Sequence, residues 1–214
     1  MKSGERILIS AGPTREYWDP VRYLSNGSSG KMGFALAAAA RDRGLLVDLV
    51  TGPVALPDLP GVTMTRVVSA LEMESALRER WGQSRMLIMC AAVCDYRPVT
   101  RWTEKQSSRK DGSCLVLELE ANPDIVAGLA RSKQPGQILV GFAAETHDLE
   151  HKAREKMERK QLDWIVANDV SQPGIGMEAE DNAAVLYGRN GGVWSFGRQP
   201  KPALAEALLE VLCS

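Results

Sequence analysis

An α/β fold built on a doubly wound, mostly parallel sheet of the Rossmann-like kind is what this sequence predicts. Three observations predict it: short, continuously apolar runs, helical patterns that alternate with them, and a glycine- and serine-rich loop between the first run and the first helix. Continuous runs suit strands covered on both faces, and strand–helix alternation is how a chain builds a parallel sheet.

The strands are expected at ILIS (7–10), LLVDLV (45–50), VTMTRVV (62–68), MLIMCAA (86–92), ILVGFAA (138–144) and DWIVAND (163–169). Helices are expected at 30–43, at 69–81 with Ser69 and Glu72 in capping-box register, at 122–132 with Asn122 as cap and Pro123 in the first turn, and at 148–161. AAVLYG and GVWSFG, joined through residues 189–192, read as an antiparallel hairpin, followed by a closing helix over about 200–213. Residues 95–113 are polar and basic without an apolar period, and read as a flap rather than a sheet element. No repeat or boundary divides the chain, so 1–214 is read as one domain.

Composition narrows the partners. Apolar residues at 44% and charged residues at 25% describe an ordinary globular chain rather than a disordered one. A net charge of −1 argues against a surface made to neutralise a nucleic-acid backbone, so any anion site must be local. No apolar run approaches the roughly 20 residues of a membrane span, and MKSGER opens no signal-peptide core; the expectation is a cytoplasmic protein. Cys90, Cys94, Cys114 and Cys213 form no CxxC pair and lie far from His147 and His151, so reduced, mostly buried thiols are expected rather than a structural zinc site.

Four features could carry chemistry. The loop SAGPTREYWDPVRYLSNGSSGKMG (10–33) offers backbone N–H groups, Ser28, Ser29 and Gly30 at a helix start, which is either a cradle for a phosphate or carboxylate or a glycine-rich turn with ordinary capping. It is neither a Walker A loop nor GxGxxG. Lys152, Lys156 and Lys160 recur at i,i+4 on one helical face, which reads as a solvated stripe relieved by Glu155 and Glu158 or as a seat for a polyphosphate. Asp95 stands where a strand ends, a usual place for ligand contacts in an open sheet and equally a place for a turn residue. Lys105 sits in the flap with Arg97, Arg101, Arg109 and Lys110, as a closing cation or as part of a solvated loop. GxSxG, HExxH and a Cys/His dyad are absent, so chemistry here should rest on positioning and electrostatics.

Taken together, AGPTREYWDPVRYLSNGSSGKMGFALAAAA, AAVCDYRP followed by EK, NPDIVAGLA, GFAAET and KxxxKxxDWIVANDV resemble the bacterial phosphopantothenate–cysteine ligases of the coenzyme A pathway, in order and across nearly the whole chain. The resemblance implies a Mg²⁺-dependent reaction with CTP as co-substrate. The carboxylate of 4′-phosphopantothenate attacks the α-phosphate and expels pyrophosphate; the amine of L-cysteine then attacks the acyl-cytidylate and releases CMP. By the same resemblance, Asn26 and Arg22 handle the acyl-cytidylate with Ala92 alongside, and Lys105 is the flap lysine of the first step. Met89, Cys90, Ala91, Asp95, Pro123, Asp124, Ile125, Val126, Phe142, Lys105, Lys156 and Lys160 contact the nucleotide, while Asn26, Ser28, Ser29 and Gly30 hold the pantothenate substrate. Metal ligands are not assigned. A homodimer is implied, as is association with a phosphopantothenoylcysteine decarboxylase, to which such ligases are often fused. Gly27 departs from the usual His of SNHSSGK, and QSSRK follows Glu104 and Lys105 where a lysine-rich run is common. The competing readings are an NAD(P)-dependent oxidoreductase on the same fold and a non-enzymatic subunit that positions a decarboxylase.

Overall fold

The computed structural model describes residues 1–107, 114–145, 147–169, 176 and 178–214. Arg109 and Lys110 of the expected flap lie outside the described residues.

Six apolar runs become parallel strands: β1 (Arg6–Ala11), β4 (Leu46–Thr51), β5 (Thr63–Arg66), β6 (Met86–Met89), β9 (Ile138–Glu145) and β10 (Trp164–Asp169). The hairpin β11 (Asp181–Gly188) and β12 (Val193–Pro200) extends this sheet antiparallel, giving the order β12-β11-β10-β9-β6-β1-β4-β5. The chain therefore leaves β1 towards β4 and β5 on one side, then returns to lay β6 on the other. That reversal opens a crevice at the carboxyl ends of β1 and β6, the place where open α/β sheets take their ligands.

Alternate side chains of one strand feed two cores. Ile7, Ile9 and Ala11 pack with α1 (Lys31–Asp42) and α5 (Lys201–Leu212) on one face. Leu8 packs on the other with Met73, Leu77 and Trp81 of α2 (Ala70–Trp81), Ile125 and Leu129 of α3 (Ile125–Ala130), and Met157 of α4 (Leu149–Arg159). Full burial of one such Leu or Ile contributes about 2 kcal/mol, which is why β1, buried on both faces, reads as an unbroken apolar run. The alanines of FALAAAA are strong helix formers and small enough to bring α1 close to the sheet. At the start of α1 the approach is closest: a Cβ on Gly33 would stand 2.5 Å from the Ala11 Cβ.

Five expectations are corrected. The third helix is Ile125–Ala130, capped not by Asn122 but by Asp124, which accepts from the Ala127 N–H at 3.1 Å. Asn122 instead donates to the Cys94 carbonyl and accepts from Arg97, so it is held by the neighbouring loop and unavailable as a cap. Strand β6 ends at Met89, because Ala91 turns its N–H to the Ser10 hydroxyl (3.1 Å) and Ala92 bridges to Pro13. The base of the flap is a sheet element after all: β7 (Tyr96–Pro98) pairs antiparallel with β8 (Leu119–Ala121). The opening loop likewise contains a hairpin, β2 (Arg15–Tyr17) with β3 (Tyr23–Ser25). The capping box of α2 is shifted by one residue on its reciprocal side: Ser69 accepts from the Glu72 N–H, while Glu72 accepts from that of Val68.

Candidate active site at the reversal of strand order

The crevice is stitched by backbone hydrogen bonds between the loops after β1 and β6. The Ala92 N–H donates to the Gly12 carbonyl at 2.9 Å, and the Thr14 N–H to the Ala92 carbonyl at 3.3 Å. Into this junction reaches Asn26, whose amide N–H₂ donates to the carbonyls of Ala92 and Val93, each at 3.1 Å. Both donors are thereby engaged, and Oδ1 is the Asn26 atom left to a ligand. Asn26 does not cap α1. That position belongs to Gly30, at φ 77°, with no side-chain cap bond, so the first-turn N–H groups of α1 have no capping side chain.

Two cavities open here. One, of about 320 Å³, is lined by Asn26, Ser28, Gly30, Lys31 and Met32 at the start of α1, by Cys90, Ala91, Ala92, Val93 and Asp95 after β6, and by Phe142 and Lys156. The other, of about 490 Å³, is lined by Met89, Ala91, Val93 and Asp95, by residues 121–126, and by Phe142, Lys156, Arg159 and Lys160. Ala91, Val93, Asp95, Phe142 and Lys156 belong to both, so the two cavities adjoin at a shared wall. A wider concavity of about 810 Å³ lies at the amino ends of β9 and β10, away from the reversal point; its Lys133 and Asp163 are already paired at 2.5 Å. Position and chemistry favour the smaller pair.

The lysine stripe divides its labour. Lys152 pairs with Glu145 at 3.2 Å, Lys156 donates to the Phe142 carbonyl at 2.8 Å, and Lys160 pairs with Asp124 at 3.1 Å. Glu155 and Glu158, the relief expected from sequence, do not serve as these partners. Burial pulls the Lys156 pKa down and the ammonium of Lys160 adds to the effect. Burial would raise Asp124, but the Ala127 N–H and Lys160 outweigh it and hold the carboxyl below its ordinary range. Burial also pushes the Cys90 thiol up to about 12, against a smaller opposing pull from Lys201. The thiol thus stays protonated at neutral pH and makes a poor nucleophile.

Of the residues singled out in the sequence, Asn26, Ser28, Gly30, Met89, Cys90, Ala91, Ala92, Asp95, Pro123, Asp124, Ile125, Val126, Phe142, Lys156 and Lys160 line one or both cavities. Ser29 lies between two loop neighbours without lining either. Arg22 and Lys105 are also outside both walls. Arg22 instead makes a two-pronged ion pair with Asp19, Nε at 2.9 Å and Nη2 at 2.6 Å, while Lys105 is exposed on the flap.

Sequence reasoning missed Lys31, Asn168, Asn182 and Lys201, which also line the smaller cavity. Lys201 is 3% exposed, and its ammonium donates to the carbonyls of Gly176 (3.1 Å) and Ala179 (2.5 Å). Asn168, at the carboxyl end of β10, had a positional signal; Lys201, at a hairpin–helix joint, had none.

Residues 2–214 match the family described as the DNA/pantothenate metabolism flavoprotein C-terminal domain. The chain belongs to this family. It is 49% identical over 209 residues to the coenzyme A biosynthesis bifunctional protein CoaBC of Vibrio cholerae serotype O1, covering 98% of this chain and 52% of that protein. Against the protein of the same description in Escherichia coli strain K12, identity is 52% over 186 residues, covering 86% and 46%. The chain thus spans about half the length of the curated relatives it matches. A crystal structure of the C-terminal domain of CoaBC superposes with a TM-score of 0.83 at 38% identity, covering 99% of this chain and 95% of that one. The doubly wound, Rossmann-like sheet read from the sequence is therefore the family's own. Among the described residues no helix is long and apolar enough to cross a membrane.

Proposed function

We propose that this chain ligates 4′-phosphopantothenate to L-cysteine at the expense of CTP, through an acyl-cytidylate. The observation that carries the reading is the shared wall of the two cavities. A substrate whose phosphate sits at the uncapped start of α1, beside Lys31, extends its carboxylate towards Asp95, Phe142 and Lys156. A nucleotide in the second cavity, with its phosphates near Lys156 and Lys160, brings its α-phosphate to the same wall. The reacting atoms meet where the cavities do, and this positioning is itself catalytic.

The carboxylate oxygen attacks the α-phosphorus, the bond to the β-phosphate breaks, and pyrophosphate departs with its charge offset by Lys156 and Lys160. The amine of cysteine then attacks the acyl carbon, loses a proton and displaces CMP. Asn26 Oδ1, fixed by the bonds of its N–H₂ to Ala92 and Val93, is placed to accept a hydrogen bond from that amine. This revises the role implied by resemblance, in which the amide donates to the acyl group. The protein supplies no covalent nucleophile.

Mg²⁺ fits as an ion carried by the triphosphate. Among the described residues no group of three or more His, Cys, Asp or Glu could hold a metal, and Mg²⁺ is commonly held by one or two carboxylates plus phosphates. Asp95, which faces both cavities, is the carboxylate for it, and the ion would neutralise charge on the leaving pyrophosphate.

A homodimer accounts for Arg22 and Lys105 lying outside the cavities of their own chain. The hairpin β2–β3 exposes Val21 and Tyr23, and the flap exposes Tyr96, Val99, Leu115, Val116 and Leu119. A second copy covering this apolar face would bring the two cations towards a cavity. Association with a decarboxylase and a cytoplasmic location belong to the same reading. The oxidoreductase alternative is disfavoured because the chain leaves β1 into a hairpin instead of turning through a dinucleotide fingerprint into α1. The deciding assay is pyrophosphate release with CTP, phosphopantothenate, cysteine and Mg²⁺. No release with all four present refutes the ligase, and a sedimentation mass of one chain in the active sample refutes the dimer.

A further inference from the structure

Asp19 is fully buried and accepts five N–H groups. Its Oδ1 takes the backbone N–H groups of Val21 and Arg22, each at 2.8 Å, in an Asx turn. Its Oδ2 takes Arg22 Nε at 2.9 Å and Nη2 at 2.6 Å, and then the Gln106 backbone N–H at 3.2 Å. Arg22 Nη2 closes the loop by donating to the Gln106 carbonyl at 2.7 Å. Two further contacts run alongside: the Trp102 N–H donates to the Trp18 carbonyl at 2.7 Å, and the Arg101 guanidinium lies 5.4 Å from the Tyr17 ring centre. The stem of the flap is thus fastened along the β2–β3 hairpin, and the last fastening falls one residue after Lys105.

We propose that Asp19 is a positioning residue that joins Arg22 and the Lys105 segment into one unit, so that the two cations are presented together. This rests on the ligase reading for its catalytic consequence, though not for the latch itself. A buried carboxylate satisfied by five donors cannot release one partner cheaply, because the charge left behind would be under-compensated. Arg22 and Gln106, 84 positions apart in the chain, are tied directly through Nη2 and again through their shared acceptor, Asp19 Oδ2. Burial acts to raise the Asp19 carboxyl, and the bonds from Arg22, Val21 and Gln106 overcome it and hold it well below the usual carboxylate range. It is therefore ionised at neutral pH.

Asp19→Asn is the decisive substitution. Its Oδ1 can keep the turn at Val21 and Arg22, while an N–H₂ replaces Oδ2 and faces the donors of Arg22 and Gln106. Amide hydrogen exchange on the full chain reads the latch without any assumption about activity. Peptides covering 101–107 should exchange roughly tenfold to a hundredfold faster, while those from β1 and β6 keep their protection. Unchanged exchange at 101–107 overturns the proposal. Pyrophosphate release should fall by roughly tenfold to a hundredfold, and Asp19→Asn should cost several-fold less when added to Lys105→Ala than in the wild type, because the share of its effect that runs through Lys105 is then already lost. Fully additive losses overturn it, since they assign Asp19 a general structural role. If β1 and β6 lose protection, Asp19→Ser takes its place: the hydroxyl keeps the turn acceptor and cannot reach Gln106, and the same two readouts decide. If the wild type releases no pyrophosphate, the ligase reading fails and the exchange result alone stands or falls for the latch.

Discussion

Asn26→Asp tests the centre of the site. The substitution preserves size and leaves an oxygen in the place of Oδ1, but it puts a second oxygen where N–H₂ now meets the Ala92 and Val93 carbonyls at 3.1 Å. Two hydrogen bonds, each worth about 1 kcal/mol net, are exchanged for contacts between like partial charges. Asn26 is exposed, so the carboxylate can swing into water and the loss to the fold is capped at about 1–2 kcal/mol, a fall in Tm of roughly 2–8 °C for a chain of this size. The larger consequence is for rate. Once untethered, the side chain no longer fixes its acceptor at the junction of the cavities, and a misplacement of this kind costs about a hundredfold. Quenched single-turnover reactions with isotopically labelled phosphopantothenate should show acyl-cytidylate that forms and then persists with cysteine present. Asn26→Ala, which also breaks the tether but adds no charge, should lose transfer to a similar degree and stability to a smaller one. An Asp variant with wild-type Tm and wild-type turnover refutes the reasoning, as does an Ala variant that transfers normally.

Lys105→Ala should slow pyrophosphate release by roughly a hundredfold while leaving thermal unfolding unchanged, because an exposed flap cation acts on developing charge and not on the core; an unchanged rate refutes this. Lys156→Met fills the same volume but removes the ammonium from the shared wall, and should weaken nucleotide binding about tenfold or more by calorimetry. Equal affinity for CTP in the two proteins would exclude Lys156 from the phosphate site. Asp124 carries a sign that can be checked. Its folded pKa is depressed, so its stabilising contribution is present above the ordinary carboxylate range and is lost as pH falls through the lower folded value. Asp124→Asn keeps an equally good cap and should flatten the acid-side loss of Tm; identical acid slopes for the two proteins refute the assignment.

The middle of the central sheet was legible because β1, β4, β6, β9 and β10 are largely buried on both faces, so hydrophobicity alone marks them. The two short antiparallel pairs outside it, β2–β3 and β7–β8, were not. β3 and β8 carry the burial patterns eie and eee, with exposed or half-buried residues throughout, and three residues are too few for a period. β7 and β8 also pair across the whole flap, a contact no local window contains. The cap of α3 was read as Asn122 and is Asp124, both good capping residues. Tertiary partners decided it, since Arg97 and the Cys94 carbonyl hold Asn122 while Lys160 approaches Asp124. At the site, Asn26 stood out by its loop, but its partners come from 66 and 67 residues further along the chain. Spacing predicts a face or a turn; it does not predict which carbonyl will stand opposite.

The same contrast orders the functional parts. Most residues on the cavity walls sit at the ends of sheet strands, at the starts of α1 and α3 or in the last turn of α4, and their positions follow once the strand order is known. Arg22 and Lys105 sit on the two hairpin-borne loops instead, and nothing in the main sheet fixes them. Their placement depends on a few polar bonds gathered on Asp19, beside an apolar face left uncovered in the single chain. On the ligase reading this separates two tasks: the walls bind and align the substrates, and the latched cations act on the charge of the leaving pyrophosphate. Asn26 joins the walls to this latched part, because the hairpin that carries Asp19 and Arg22 runs directly into it while its amide is bonded to the loop after β6. A change at Asn26 should therefore alter flap exchange at residues 101–107 as well as transfer to cysteine, whereas a change at Lys156 should leave that exchange untouched. If both variants, or neither, disturb the flap, the division between wall and cation fails.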